Sequence, residues 1–275
     1  MHAGNAFFDT NGPGFWARHT HVQLRCPAMP PLVPLTRPVV LPPVAGMRQC
    51  GMCGVRATSV CNAIDDAHLA RLAAVAVTID ADPGKAFIEE GEPADNFFNI
   101  TAGTAKLFKL LPDGRRQIIG FAGAGHFLGL SVSDTYAFSA EAIDKVRYCR
   151  FPRRRLRTLL DDFPALETRL LELATNELVA AQEQMLLLGR KTALERLASF
   201  LVTRSRLRGP CGPRRTRITV PMTRSDIADY LGLTIETVSR TMTKLRTDKL
   251  IELPGPHDVV LRDLTNLERL AGGLM

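Results

Sequence analysis

At 275 residues the chain is long enough for two domains, each with its own core. Its 45% hydrophobic and 23% charged residues are ordinary for soluble protein, and no run of about 18 apolar residues exists to span a membrane. The first residues carry no basic-then-apolar signal pattern, which points to the cytoplasm, where six cysteines are thiols or metal ligands rather than disulfides. The net charge of +7 is localised. Arg190 to Lys249 holds 14 Lys plus Arg against 5 Asp plus Glu, while the rest holds 21 against 23. Such a basic excess is the electrostatic footprint of phosphate binding.

Residues 1–48 are Pro-rich and aperiodic, with P-A-M-P-P-L-V-P-L-T-R-P in the middle. That composition builds no packed core and reads as a disordered leader. Next comes C-G-M-C-G-V-R-A-T-S-V-C, which spaces Cys50, Cys53 and Cys61 as C-x2-C-x7-C. Two thiolates two residues apart can bite one metal or cluster, and a third can fold back onto it. Structural zinc and an iron–sulfur cluster fit this spacing equally, with unligated thiols as the third option. A fourth ligand has to come from elsewhere in the chain.

Asp65 to Val77 reads as a short amphipathic helix. From there to about Arg150 short apolar strands alternate with Gly and Pro, as in K-A-F-I-E-E-G-E-P, N-F-F-N-I-T-A-G-T-A-K-L-F-K-L and Q-I-I-G-F. Evenly spaced strands of this kind predict a barrel or double-sheet jelly roll. Leu111 to Arg115, L-P-D-G-R, is a hairpin turn by its Pro and Asp-Gly. Pro164 opens a long helix that Gly189 is expected to end. Leu170, Ala174, Leu178, Ala181, Met185 and Leu188 form an apolar stripe along it at three- and four-residue steps. Such a stripe can cover the barrel or meet a second helix.

Thr192 to Arg206 is a further amphipathic helix, R-G-P-C-G-P a loop, and R-I-T-V-P a strand. Thr223 and Asp226 then make a T-x-x-D capping pattern before Ile227, Ala228 and Leu231. Gly232 breaks that helix, and Thr234 caps a second one whose Val238, Met242 and Leu245 point back at the first. Two short helices about a Gly turn form a helix-turn-helix, whose second member lies in a DNA major groove. Its exposed face carries Glu236, Ser239 and Arg240. Arg can bond guanine O6 and N7, and Glu can accept from cytosine N4; the alternative is a merely solvated face. L-I-E-L, P-G-P-H and V-V-L-R read as a wing hairpin.

The run T-R-S-D-I-A-D-Y-L-G-L-T-I-E-T-V-S-R resembles the DNA-binding helix pair of the CRP/FNR regulator family, and of its FNR branch in particular. The likeness extends at varying strength from about Cys50 to the C-terminus. Ile235 stands where a CRP-type reader has an additional Arg, and E-x-x-S-R is the FNR-branch pattern. The resemblance implies an α+β chain in three parts after the leader. These are a cysteine segment with a jelly-roll β-barrel sensor domain (49–163), a dimerisation helix (164–189) and a winged helix-turn-helix domain (190–275).

It further implies that the long-helix stripe is the seam of a homodimer, which sets two recognition helices about one DNA turn apart. Double-stranded DNA is then read by Glu236, Ser239 and Arg240, with Thr223 and Lys244 beside them. Cys149, in V-R-Y-C-R-F-P, falls where the family's distant fourth ligand lies. The implied cofactor is a [4Fe–4S] cluster on Cys50, Cys53, Cys61 and Cys149 that oxygen dismantles; Cys26 and Cys211 match no family ligand. In the CRP branch a Gly-Glu and an Arg-Ser pair hold cyclic nucleotide. Here the corresponding positions look like Gly129-Leu130 and Phe138-Ser139, without carboxylate or guanidinium, so no cyclic nucleotide is expected. In relatives the exposed hairpin touches RNA polymerase, although a plain surface turn fits Leu111 to Arg115 equally. The expected function is oxygen-responsive transcription regulation. The alternatives are the same architecture with structural zinc, or an iron–sulfur enzyme, which the lack of a convergent acid, base or nucleophile set disfavours.

Overall fold

A computed structural model describes residues 50–131, 133–206 and 215–272. The expected leader 1–48, Cys26, Cys211 and the R-G-P-C-G-P loop lie outside the described residues. From Cys50 the chain makes two 3-10 turns, Arg56–Thr58 and Val60–Ala63. The Ser59 side chain caps the second by accepting from the Cys61 N–H. Helix α1 spans only Leu69–Val75, shorter than the expected Asp65 to Val77. Asp65 Oδ1 accepts the His68 backbone N–H at 2.9 Å, which holds the preceding residues in a turn, and Val77 already belongs to the first strand.

Eight strands follow: β1 (Val77–Ala81), β2 (Ala86–Ile88), β3 (Asn96–Ala102), β4 (Ala105–Leu110), β5 (Arg116–Ala122), β6 (Phe127–Leu128), β7 (Ser139–Ala142) and β8 (Val146–Pro152). They form two four-stranded antiparallel sheets, ordered β1-β8-β3-β6 and β2-β7-β4-β5. Alternate side chains such as Ile88, Phe98, Ile100 and Tyr148 fill the space between them. This is the expected double-sheet barrel, and burial of such side chains stabilises it by about 1.5–3 kcal/mol each. The β4–β5 hairpin closes at Leu111–Arg115, where the Leu111 N–H donates to the Arg115 carbonyl at 2.8 Å.

Helix α2 (Arg153–Asp162) leads to α3 (Pro164–Arg190), 27 residues and so about 40 Å long. Gly189 does not end α3. Its backbone is not in the left-handed region that makes glycine a stop, and the Lys191 N–H still bonds the Leu187 carbonyl at 3.3 Å. The break falls at Lys191 because Thr192 and Glu195 form a reciprocal capping box that starts α4 (Ala193–Ser205). Strand β9 (Arg217–Thr219), α5 (Arg224–Leu231), α6 (Ile235–Thr247), β10 (Ile251–Glu252), β11 (Asp258–Leu261) and α7 (Leu264–Ala271) complete the C-terminal part. Strands β10 and β11 are the expected wing and pair with β9 in the order β10-β11-β9.

Two further cores organise the rest. Val60, Cys61, Leu72 and Phe151 pack with Leu156, Leu166 and Leu170, which joins the cysteine segment, the barrel and the start of α3. Leu197, Leu201, Ile227, Leu231, Val238 and Leu245 form the C-terminal core, with Phe121 and Ile143 of the barrel packed against it.

Candidate nucleic-acid interface and cysteine site

The helix pair is built by local chemistry. Thr223 Oγ1 accepts the Asp226 N–H at 3.0 Å, and Asp226 Oδ2 accepts the Thr223 N–H at 3.0 Å and its hydroxyl at 2.6 Å. This reciprocal cap satisfies the orphan donors at the start of α5. Gly232 has φ 61°, the left-handed conformation glycine adopts cheaply, and the turn it makes delivers Thr234 as the cap of α6. Thr234 Oγ1 accepts the Thr237 N–H at 3.1 Å. Val238, Met242 and Leu245 are buried against α5, so rotation of α6 about its axis is fixed. Glu236, Ser239, Arg240 and Lys244 are therefore exposed together on its other side.

Their states differ. Glu236 and Arg240 have no hydrogen-bond or ion-pair partner among the described residues. The Ser239 hydroxyl donates to the Ile235 carbonyl at 2.9 Å, and Lys244 pairs at 3.1 Å with Asp248, the residue that caps the end of α6. Thr223 is exposed, but its hydroxyl is engaged in the cap. Arg240 is thus the side chain most ready to bond a base edge.

A charged cluster not anticipated from sequence holds α5 to the barrel. Arg116 on β5 bonds Asp229 and Asp226, Lys106 on β4 bonds Glu141 at 2.8 Å and Asp226 at 3.4 Å, and the Gln117 amide donates to the Asp229 carbonyl at 2.6 Å. Burial opposes the charge on Asp226. Hydrogen bonds from the Thr223 side chain and backbone, together with the Lys106 charge, outweigh it and hold the carboxyl below the usual carboxylate range. The only sequence signal was a Lys inside the strand A-K-L-F-K-L.

Against the other sheet of the barrel, β1-β8-β3-β6, Cys50, Cys53, Cys61 and Cys149 border one open cavity of about 600 Å³. Cys149 is placed there by β8, between Thr78 on β1 and Asn99 on β3. Burial pushes the Cys61 thiol up to about 12, against a hydrogen bond with Ser59, and the neighbouring Cys149, Cys50 and Cys53 raise it further. Burial also raises Cys50 and Cys149, each with help from a neighbouring cysteine. The four thiols are thus electrostatic neighbours. They do not converge on a point: no group of three His, Cys, Asp or Glu among the described residues is arranged to hold a single metal ion. Soft thiolates around a cavity suit an iron–sulfur cluster, whose uptake must displace the thiol protons.

Of the positions expected to reject cyclic nucleotide, Leu130 packs against the core that contains Cys61, and Phe138 packs against the barrel core. Gly129 has φ 89°, and a Cβ there would come within 2.8 Å of the Asn96 carbonyl. The buried Arg153 guanidinium donates to the Gly129 and Ser131 carbonyls at 3.3 and 3.1 Å, so the cation near this loop is spent on backbone.

Along α3 the expected stripe divides. Leu170 is only 9% exposed and belongs to the core shared with the cysteine segment; it does not lie on an open seam. Leu171, at 69% exposed, takes the outward place and starts a seven-residue repeat with Leu178 (58%) and Met185 (66%). Ala174 and Ala181 are exposed between them, and Leu188 packs on the C-terminal core. A three- or four-residue step can begin from Leu170 or Leu171 alike, which is why the sequence pattern does not separate the buried leucine from the exposed one.

A double-sheet barrel, a long helix and a winged helix-turn-helix with an exposed Arg on its second helix define a DNA-binding transcription regulator. No helix among the described residues is long and apolar enough to cross a membrane. Residues 79–163 match the cyclic nucleotide-binding domain, and residues 195–270 match the Crp-like helix-turn-helix domain. The chain is 44% identical over 220 residues to the transcriptional activatory protein AadR of Rhodopseudomonas palustris, covering 80% of this chain and 91% of the relative. It is 44% identical over 197 residues to the nitrogen fixation regulation protein FixK of Bradyrhizobium diazoefficiens, covering 71% and 83%. The structure of FixK2 from Bradyrhizobium japonicum superposes with a TM-score of 0.66 at 35% identity, over 71% of this chain and 97% of that one. The chain belongs to the CRP/FNR family of transcription regulators, and it is not an enzyme.

Proposed function

We propose that this regulator is oxygen-responsive and binds an FNR-like palindrome, with TTGAT-type half-sites, as a homodimer while Cys50, Cys53, Cys61 and Cys149 hold a [4Fe–4S] cluster. The observation that carries the reading is the common cavity of these four thiols, three from a segment without regular strands and one from β8. When bound, the cluster would supply an oxygen-labile crosslink between that segment and the barrel. The names of the relatives say nothing of a cluster, so the thiol geometry supports this reading alone.

The chain's own residues connect the cavity to DNA. Cys61 sits in the core that contains Leu166 and Leu170, and the Arg169 guanidinium donates to the Thr58 carbonyl at 3.1 Å. A change in the cysteine segment therefore acts on the first turns of α3. Pairing of α3 with its copy sets the spacing of two α6 helices, and so biases the equilibrium between binding and non-binding dimers. Arg240, Glu236 and Ser239 read base edges, while Lys244 and the α5 N-terminus around Thr223 meet phosphates. Without a carboxylate or guanidinium at Leu130 and Phe138, cyclic nucleotide is not the signal. The Leu111–Arg115 hairpin, with Leu110 and Leu111 exposed at its base, is the surface offered to RNA polymerase. Such a protein works in the cytoplasm with the DNA it reads.

Purification without oxygen, with iron, sulfide and zinc analysis, tests the reading. A brown protein that bleaches in air supports it. Ser substitution of Cys50, Cys53, Cys61 or Cys149 should abolish the colour, and Cys26→Ser and Cys211→Ser should not. A colourless protein with one zinc per chain, or full cluster content in Cys149→Ser, overturns it.

A further inference from the structure

One side chain at the cysteine cavity is left unexplained by the thiols. Asn99 is 1% exposed, and neither its amide nitrogen nor its amide oxygen has a hydrogen-bond partner among the described residues. It lies in the middle of β3, between Phe98 and Ile100, which both enter the barrel core. Asn99 is directly opposite Cys149 across the β3–β8 pair, and Cys149 is directly opposite Thr78 on β1. Opposed residues of an antiparallel pair present their side chains on one face. Thr78, Cys149 and Asn99 thus form a row across the sheet, and all three border the cavity with Cys50, Cys53 and Cys61. An amide placed there costs folding free energy unless something supplies its partner. Leucine would fill the same space without that cost.

We propose that Asn99 is a positioning residue for the bound cluster, donating its amide N–H groups to sulfur at Cys149 or to an adjacent sulfide. The inference rests on the cluster reading above and adds a residue to it. A carboxamide has two N–H donors and no charge, so it can meet electron-rich sulfur without the repulsion a carboxylate would bring. Hydrogen bonds to cluster sulfurs help to set the reduction potential, and such outer partners hold the ligands in place. Donation draws electron density from sulfur, so it raises the potential and slows cluster loss.

The test compares wild type with Asn99→Leu, which keeps the branching and the number of heavy atoms, and Asn99→Ala, which adds no bulk. Iron release to a ferrous chelator without oxygen, the reduction potential, and the melting temperature of cluster-free protein are measured for each. Release from both variants should be at least about ten-fold faster, and their potentials should shift negative. Cluster-free Asn99→Leu should melt no lower than wild type, because it removes an unpartnered amide. Unchanged release and potential in a cluster-loaded Asn99→Leu would mean that cavity water satisfies the amide, and the inference fails while the cluster reading stands. If wild type takes up no cluster, both fail together.

Discussion

Arg116 on β5 donates to Asp229 Oδ2 on α5 from both Nε and Nη2, at 3.0 and 2.8 Å, so the barrel grips the helix that precedes the DNA reader. Arg116 Nη2 also reaches Asp226 Oδ1 at 3.2 Å. Around this fork Phe121 and Ile143 of the barrel add apolar contact to the C-terminal core. Charge-assisted bonds of this kind contribute about 1.5–3 kcal/mol when shielded from water. Arg116→Ala should therefore loosen the docking and speed hydrogen exchange at α5 amides about ten-fold, with β3 and β8 amides unchanged. Equal protection of α5 in both proteins would show that the fork contributes nothing to docking.

Asp226 does two jobs, capping α5 and receiving Lys106 and Arg116. Its folded carboxyl lies below the usual range, so its contribution is present above the unfolded value of about 4 and is lost as pH falls further. Asp226→Asn should cost roughly 1–3 kcal/mol at pH 7, since it weakens the cap and leaves buried cations short of a partner. The penalty should shrink as the pH falls below about 4 toward the lowered folded value, because the unfolded wild type is then protonated while the folded carboxylate progressively loses its advantage. Urea unfolding across this pH range measures both, and a pH-independent difference would contradict the assignment.

Arg240 and Lys244 sit one turn apart on the exposed side of α6, yet they should behave differently. Arg240 is unpaired among the described residues and has the fork geometry for guanine. Arg240→Ala should weaken specific binding by about 1–3 kcal/mol per half-site and relax preference at one G·C pair. Lys244 already has Asp248 at 3.1 Å, an exposed pair of little worth that a phosphate can replace. Lys244→Ala should weaken all sequences alike and flatten the salt dependence. Binding titrations on specific and scrambled duplexes at several salt concentrations separate the two roles.

Lys249 is the one non-glycine residue with positive φ among the described residues, at 57°, just past the end of α6. Its N–H bonds the Arg246 carbonyl at 3.0 Å and the Leu250 N–H bonds that of Leu245 at 3.0 Å, a helix-ending turn in which glycine is the usual residue. Lys249→Gly should stabilise the protein by roughly 0.5–1 kcal/mol, with a matching rise in the urea midpoint. A lower midpoint would mean that the lysine stem packs better than its backbone suffers.

What was legible in the sequence was local. Thr223 and Asp226 announce a cap three residues apart, and Gly232 and Thr234 a turn and cap two apart, so the helix pair could be drawn in detail. Strand existence was legible from short apolar runs, but the sheet order β1-β8-β3-β6 depends on pairings as distant as Val77 with Arg150. Arg116 with Asp229 and Asn99 with Cys149 were hidden for the same reason. The stop at Gly189 failed because a glycine breaks a helix only where a left-handed residue is needed. Here the capping box at Thr192 sets the boundary instead.

The divided stripe on α3 allows two neighbouring leucines to be told apart. Leu170 is buried with Cys61 and Leu166 inside the chain, whereas Leu171, Leu178 and Met185 stand exposed at seven-residue intervals with Ala174 and Ala181 between them. A seven-residue repeat matches the seam of two parallel helices, and the small Ala181 lets them approach closely. Across a two-fold axis each seam residue meets its own copy or a near neighbour, so one carboxylate becomes two. Ala181→Asp and Leu178→Asp should therefore shift the dimer toward monomer by at least about ten-fold in dissociation constant, without lowering monomer stability, because repulsion and desolvation act only across the contact. Leu170→Ala should do the reverse. It should cost about 2–5 kcal/mol of folding stability by opening a cavity in the shared core, and leave self-association of the folded protein unchanged. Analytical ultracentrifugation at several concentrations, paired with urea unfolding, reads both quantities. Dimers that survive both acidic substitutions but dissociate in Leu170→Ala would place the seam on the other side of α3.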